Sequence, residues 1–305
     1  MRVAVIDIGS NSTRLLIADL EADRVVDELE RTSVVTRLGA GVDANGHLSE
    51  DAMQRVYATL DQFKDEIERR RPEMEIAILT SAVRDAANGA EFAQAVADRY
   101  GFEPHVLEGD EEARLTFLGA TSERDPEEQT PTLVVDVGGG STELVVGSGR
   151  QARFHVSTQA GVVRQTERHI KHDPPSTDEL DELADDVRAI ISTAVDPDIR
   201  RNIEHGIAVA GTATSLAAIS QKLEPYDPKK VHGFTVSKGE AERILGELAA
   251  VPLEQRRTTP GLHPDRAPTI VAGVIILREV MSLFGLSAIE VSEHDILRGA
   301  ALGLS

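Results

Sequence analysis

The chain has 305 residues, more than one hydrophobic core usually serves, so we expect two domains of about 130–170 residues. It carries 52 acidic and 32 basic residues, a formal charge of −20, which argues against nucleic-acid or anionic-membrane binding because both need clustered positive charge. The absence of cysteine excludes disulfides, thiolate metal sites and a cysteine nucleophile. No apolar run of about 18 residues and no leader-like segment occurs, so we expect a cytoplasmic protein.

Two segments of the chain repeat each other without a gap. The sequence IDIGSNSTRL at residues 6–15 aligns with VDVGGGSTEL at residues 135–144, and Asp7 and Asp136 are 129 positions apart (136 − 7 = 129). Each copy has an apolar strand, an Asp-x-Gly turn, Ser-Thr and a second apolar strand, which predicts a β-hairpin with an aspartate at the mouth of its turn. The repeat predicts two domains of one architecture.

Periodicity, capping and turn signals place further elements after each hairpin. In the first half we predict a strand at 24–35, a helix from the Ser49 cap to 71, a strand at 75–80, a helix at 90–100, a strand at 105–107 and a helix at 110–122. Residues 126–131 predict a linker, which divides the chain into domains 1–126 and 127–305. In the second half we predict strands at 132–137, 142–146 and 153–157, helices at 162–171 and 177–194, a strand at 206–210, a helix at 212–223, a helix from 238 with a capping box of Ser237 and Glu240, an apolar helix at 267–284, a strand at 289–291 and a helix at 295–302.

The glycine-rich turn of the second copy carries the strongest chemical signal. It comprises Gly138, Gly139, Gly140, Ser141 and Thr142. The turn lacks the lysine of a P-loop and leads into a strand, so neither a P-loop nor a Rossmann site is indicated. Consecutive glycines can aim backbone N–H groups at phosphate oxygens, and the two hydroxyls add donors. Asp136 and Glu143 flank the turn, and such hard oxygen ligands suit Mg²⁺ beside a phosphate. The alternative is a tight turn with a capping aspartate and an exposed glutamate.

Three other candidate sites follow predicted strands, where ligands of α/β proteins generally bind. Arg84 could grip a phosphate with its planar guanidinium. Glu112 opens a helix, where a carboxylate commonly stabilises the helix terminus but could also orient or deprotonate an attacking water. Gly211 and Thr212 form a further glycine turn that could hold a nucleotide or another phosphate.

In combination, these segments resemble the successive motifs of the Ppx/GppA phosphatases, which are exopolyphosphatases and guanosine pentaphosphate phosphohydrolases. The motifs begin at Asp7 (DIGSNSTRL), Thr80 (TSAVR), Glu111 (EEAR), Asp136 (DVGGGSTE) and Ala210 (AGT), and they run in order along the chain. The resemblance implies an α/β fold of two duplicated actin-like, ribonuclease H-like domains with an interdomain cleft.

The resemblance also implies roles for individual residues. Glu112 is expected to activate the attacking water, and Asp136 and Glu143 to hold Mg²⁺ or Mn²⁺, with Glu143 counted as catalytic and Asp7 as a further metal ligand. The expected phosphate-binding residues are Ser10, Asn11, Arg84, Gly138, Gly139, Gly140, Ser141, Thr142, Gly211 and Thr212. Long family members carry a helical C-terminal extension that this sequence lacks, which puts processive degradation of long chains in doubt.

We therefore expect a Mg²⁺-dependent exopolyphosphatase with polyphosphate as substrate. Hydrolysis of the 5′ γ-phosphate of pppGpp uses the same catalytic parts and stays open. A non-catalytic sensor of polyphosphate or alarmone is a further alternative, against which the presence of Glu112, Asp136 and Glu143 argues. An actin-like kinase would need an acceptor pocket and ATP turnover. A homodimer also stays open as an assembly.

Overall fold

The repeated hairpin lies at the centre of each sheet in a computed structural model, which describes residues 1–22 and 24–303. In both copies the Asp-x-Gly strand pairs with the next strand in antiparallel register. Asp7 lies opposite Arg14 in the first copy, and Asp136 lies opposite Glu143 in the second. The same position of the fold therefore pairs an acid with a base in one unit and two acids in the other.

The chain folds as two compact units, Met1–Glu123 with the residues from Asp295 on, and Arg124–His294. The change of unit after Glu123 lies near the expected boundary at residue 126. The expected second domain, 127–305, includes the residues from Asp295 on. In the structure these residues belong to the first unit instead.

The first unit contains a five-stranded sheet in the order β3-β2-β1-β4-β5. Strands β1 to β3 are antiparallel neighbours, whereas β4 and β5 run parallel to β1. Among the described residues its elements are β1 (Arg2–Ile8), β2 (Ser12–Glu21), β3 (Arg24–Val35), α1 (Val42–Asn45), α2 (Glu50–Arg70), β4 (Met74–Leu79), α3 (Ser81–Asp85), α4 (Gly89–Tyr100), β5 (Pro104–Val106) and α5 (Gly109–Ala120).

The second unit repeats this strand order and adds an edge strand, which gives β10-β11-β9-β6-β7-β8. Its elements are β6 (Thr132–Val137), β7 (Thr142–Ser148), β8 (Gln151–Thr158), α6 (Val162–His169), α7 (Thr177–Ala194), α8 (Pro197–Arg200), β9 (His205–Val209), α9 (Ala210–Gln221), α10 (Pro228–Val231), β10 (Thr235–Ser237), α11 (Lys238–Ala249), α12 (Leu253–Arg256), a 3₁₀ turn (Pro264–Arg266), α13 (Ile270–Leu283) and β11 (Ala288–Val291). The shared order in two sheets confirms the predicted α/β fold of two duplicated domains.

A final helix, α14 (Ile296–Gly303), packs on α5 within the first unit. The two backbones touch at paired glycines. A Cβ atom at Gly119 would lie 1.9 Å from the carbonyl oxygen of Asp295, and one at Gly299 would lie 1.8 Å from that of Leu115. Only glycine permits this close approach. The contact between the two helices stabilises α14 on the first unit.

Helix caps differ from the prediction in one place. Ser237 accepts the N–H of Glu240 at the start of α11, but the Glu240 carboxylate accepts from Ser220 and Arg243 instead of from the cap. The predicted capping box therefore forms by half. A complete box stands at the start of α7, where Ser176 and Glu179 each accept the other's backbone N–H.

Glu179 should make the stability of the second unit depend on pH. Its carboxylate accepts the backbone N–H groups of Ser176 and Lys171, and with the neighbouring ring of His172 these bonds lower its pKa from 4.5 to about 2. A lowered pKa contributes stability that is present above the unfolded value of 4.5 and is lost as the pH falls towards about 2.

We expect Glu179→Gln to lower the melting temperature near neutral pH and to converge on the unmodified protein in this acidic window. Thermal unfolding monitored by circular dichroism across the pH range measures the difference. Glu182→Gln, at an exposed position of the same helix, is the control and should leave the profile unchanged. A Glu179→Gln difference that is constant with pH would contradict the assignment.

Candidate functional site

The second unit holds two acidic side chains directly opposite each other. Asp136 on β6 and Glu143 on β7 are 7% and 2% exposed. Ser157 on β8 donates its hydroxyl to Oε1 of Glu143 at 2.8 Å. Directly opposed residues of an antiparallel pair have Cβ atoms about 5 Å apart, and like charges there are unfavourable. A cation between the two carboxylates would remove that penalty.

The glycine loop that joins these strands is held by α6 through its carbonyl groups. The carbonyls of Gly138 and Gly139 accept the N–H groups of Val162 and Val163, each at 2.9 Å. The carbonyl of Gly140 is bound differently, by a side chain: Nε of Arg164 donates to it at 3.0 Å. Three successive carbonyls of the loop are thus turned towards α6.

This arrangement fixes the direction of the loop's N–H groups. In a planar trans peptide the C=O and the following N–H point in opposite directions. The N–H groups of Gly139, Gly140 and Ser141 therefore point away from α6. Successive N–H groups on one side of a loop form a concave site for anions. The phosphate-binding role of the loop stays a prediction.

The hydroxyl of Thr142, in contrast, takes part in packing. Thr142 is fully buried, and its Oγ1 donates to the carbonyl of Ala160 at 2.6 Å. The predicted donation of this hydroxyl to a phosphate would require that bond to break. Ser141 is also buried, with 2% exposure.

Gly211 and Thr212 directly follow β9 but lie in the first turn of α9, which begins two residues before its predicted start, and their phosphate-binding role stays a prediction. The helix begins at Ala210, which has a left-handed φ of 61°. The guanidinium of Arg266 lies against Gly211, where a Cβ atom would come within 1.3 Å of Nη1. Sequence reasoning missed both Arg266 and Arg164, because an arginine far from a glycine motif carries no signal of its contact with it.

In the first unit, Arg84 and Glu112 form an ion pair. Glu112 lies in the first turn of α5 and is 7% exposed. Nη1 of Arg84 donates to Oε2 of Glu112 at 3.1 Å and to the carbonyl of Leu107 at 2.8 Å. The guanidinium of Arg84 thereby fixes the orientation of the Glu112 carboxylate, which the sequence analysis predicts to be the general base.

Ser10 and Asn11 form the turn of the first hairpin. The Oγ atoms of Ser10 and Ser81 are 2.9 Å apart, and both residues are buried. The carbonyl of Asn11 accepts the N–H groups of Thr36 and Arg37. Oδ1 of Asn11 is buried and has no hydrogen-bond partner among the described residues. A ligand or water that donates to this oxygen would satisfy it.

Asp7, the first-copy counterpart of Asp136, is paired with a cationic side chain. Nε of Arg14 donates to Oδ2 of Asp7 at 2.7 Å, and Arg14 also binds Asp295. Burial raises the pKa of Asp7 and outweighs the opposing effect of Arg14. Burial also raises the pKa of Asp295, but the charges of Arg14 and Arg31 prevail and hold it below its usual value. Arg14 occupies the position that Glu143 has in the second copy.

No helix in the described part of the chain has the length and apolarity that crossing a membrane requires.

Known proteins resemble the chain over its whole length. A sequence model described as the Ppx/GppA phosphatase family matches residues 16–302. Exopolyphosphatase 2 of Mycobacterium tuberculosis is 35% identical over 320 residues, which cover 100% of this chain and 98% of that protein.

Two solved structures extend the similarity to the fold. An exopolyphosphatase-like protein has a TM-score of 0.93 at 33% identity, and the Ppx/GppA family member of Aquifex aeolicus has a TM-score of 0.82 at 30% identity. Both comparisons cover 100% of this chain and 97% of the other. Sequence motifs, duplicated sheets and these relatives agree, and the chain belongs to the Ppx/GppA phosphatase family.

Proposed function

We propose that this protein is an exopolyphosphatase that hydrolyses the terminal phosphoanhydride bond of inorganic polyphosphate. The carrying observation is the glycine loop, whose N–H groups point away from α6 beside the buried pair Asp136 and Glu143. Backbone donors next to two carboxylates suit a phosphate chain that binds together with a divalent cation. Relatives that bear the name exopolyphosphatase over the full length support the same activity.

Asp136 and Glu143 are the proposed ligands of Mg²⁺ or Mn²⁺. Two buried carboxylates at opposite positions of a strand pair provide the hard oxygen donors that these ions prefer, and the hydrogen bond from Ser157 orients Glu143. The ion would neutralise charge on the phosphate oxygens. We place Asp7 outside this ligand set, although the sequence selects it, because Arg14 already supplies a positive charge to its carboxylate. Glu143 then contributes to catalysis through the ion.

Glu112 is the proposed general base. Water attacks the terminal phosphorus, its proton passes to the Glu112 carboxylate, and the P–O bond to the bridging oxygen breaks. Orthophosphate and a chain shortened by one phosphate leave. Arg84 keeps the carboxylate in one orientation and offers a cation for phosphate oxygens. A general base is effective when its carboxylate is held within hydrogen-bond distance of the attacking water.

Hydrolysis of pppGpp is the alternative, since it cleaves the same type of bond with the same groups. Exopolyphosphatase 2 of Mycobacterium tuberculosis and the exopolyphosphatase-like protein favour polyphosphate, because their names specify it. A cytoplasmic location and a homodimer stay predictions from the sequence.

The choice of substrate can be measured directly. We expect orthophosphate release from polyphosphates of defined length with kcat/KM at least about tenfold above that for pppGpp or ATP, because a uniform phosphate chain needs no base or ribose contact. Initial rates of phosphate release over one concentration series of each substrate give the comparison. Preference for pppGpp would replace polyphosphate with the alarmone, and turnover of ATP alone would contradict both.

Removing the base should affect turnover more than binding. For Glu112→Gln we expect kcat to fall about 10²–10⁴-fold with KM changed by less than about threefold, because the amide keeps the shape but cannot accept the proton. Glu111→Gln, on the same turn, is the matched control and should keep its activity. Turnover by Glu112→Gln at the unmodified rate would remove Glu112 from the mechanism.

Removing either carboxylate of the pair Asp136 and Glu143 should weaken the binding of the Mg²⁺ ion. We expect Asp136→Asn and Glu143→Gln to raise the Mg²⁺ concentration for half-maximal activity by about tenfold or more, since each loses a charged oxygen ligand. Mg²⁺ titration of phosphate release measures this, with Glu204→Gln, an exposed acidic site of the same unit, as control. Full activity in excess chelator would overturn the metal assignment while leaving the substrate assignment intact.

A further inference from the structure

Position 164 is where the orientation of the glycine loop depends on the identity of a side chain. The carbonyls of Gly138 and Gly139 are held by backbone N–H groups, which any residue except proline supplies at those positions. The carbonyl of Gly140 is held by Nε of Arg164 at 3.0 Å. A substitution of Arg164 therefore releases one peptide of the loop and leaves the other two in place.

The released peptide is the one between Gly140 and Ser141. Its carbonyl points to Arg164, so its N–H, which belongs to Ser141, points the opposite way. Rotation of this peptide changes ψ of Gly140 and φ of Ser141, and glycine tolerates its share of the change at little cost. After rotation the carbonyl oxygen would face the bound phosphate and repel it. The loop thus has an incorrect state that the Arg164 contact disfavours.

Arginine suits this task better than lysine. Nε lies within the planar guanidinium, whose orientation is fixed by the side-chain stem, so a bond from Nε constrains the carbonyl in direction as well as distance. A lysine keeps the positive charge but provides a freely rotating ammonium at the end of a longer stem. Arg164 is half-buried, which further limits how a replacement side chain can be placed.

We infer that Arg164 is a positioning residue, which holds the Gly140–Ser141 peptide with its N–H presented to a phosphate oxygen of the substrate. This inference rests on the proposed polyphosphate site and assigns it a residue outside the family motifs quoted above. It also gives a role to the first turn of α6, which supplies the hydrogen-bond donors for three carbonyls of the glycine loop.

Binding and turnover of tripolyphosphate by Arg164→Lys and Arg164→Gln test the inference. A hydrogen bond to a charged group contributes about 1.5–3 kcal/mol, so loss of the Ser141 donor should weaken binding by about tenfold or more in both variants. Calorimetric titration of tripolyphosphate in the presence of Ca²⁺, followed by kinetics in Mg²⁺, gives the affinity and the KM. Arg168→Gln, one turn further along α6 and exposed, is the control and should bind as the unmodified protein does.

Two further measurements separate positioning from a general loss of structure or charge. The Mg²⁺ requirement and the melting temperature should stay close to those of the unmodified protein, because the substitution is made on α6, whereas Asp136 and Glu143 lie on β6 and β7. Wild-type affinity in Arg164→Lys would show that charge alone matters and would overturn the inference, as would wild-type affinity in both variants or a raised Mg²⁺ requirement. If the unmodified protein binds tripolyphosphate but hydrolyses no polyphosphate, the proposed function fails while the binding data still decide the role of Arg164.

Discussion

The close approach of α6 to the glycine loop is the constraint on which the second unit's site depends. Gly161, immediately before α6, makes it possible, because a Cβ atom there would lie 2.2 Å from the carbonyl carbon of Gly140. With that atom absent, the first N–H groups of α6 reach the carbonyls of Gly138 and Gly139. These helix-terminal donors would otherwise lack partners within the helix. The same contact therefore gives the N–H groups at the start of α6 their hydrogen-bond partners and turns the N–H groups of the loop away from the helix, where an anion can bind them.

Duplication gave the chain two copies of one hairpin, and the residue opposite the aspartate separates their chemistry. In the first copy Arg14 neutralises Asp7 and ties it to Asp295, which makes the position an internal ion pair. In the second copy Glu143 opposes Asp136 and places two carboxylates side by side, a pair that suits a cation. A single change of side-chain charge on a conserved backbone geometry thus distinguishes a structural centre from a candidate metal centre.

Sequence patterns predicted the parts of the structure that depend on local signals. The hairpins follow from an apolar strand on either side of each Asp-x-Gly turn, and β3 occupies the residues predicted for it. Long-range contacts could not be predicted in this way. The capping role of Glu240 failed because Arg243, one turn further along α11, and Ser220 on α9 bind its carboxylate, and the contact with Ser220 depends on tertiary packing. The position of Arg164 at the loop depends on the path of β8, which no motif encodes.

The return of α14 to the first unit affects how the protein is made. The helix that carries Glu112, α5, packs one face against α14, through the backbone contact at Gly119 and Gly299. A ribosome delivers those residues after the entire second unit. The first unit therefore leaves the exit tunnel with an incomplete core and must wait for the second unit before α5 is packed. A truncation that removes α14 would consequently destabilise the first unit, which is synthesised first, although the deleted residues are synthesised last.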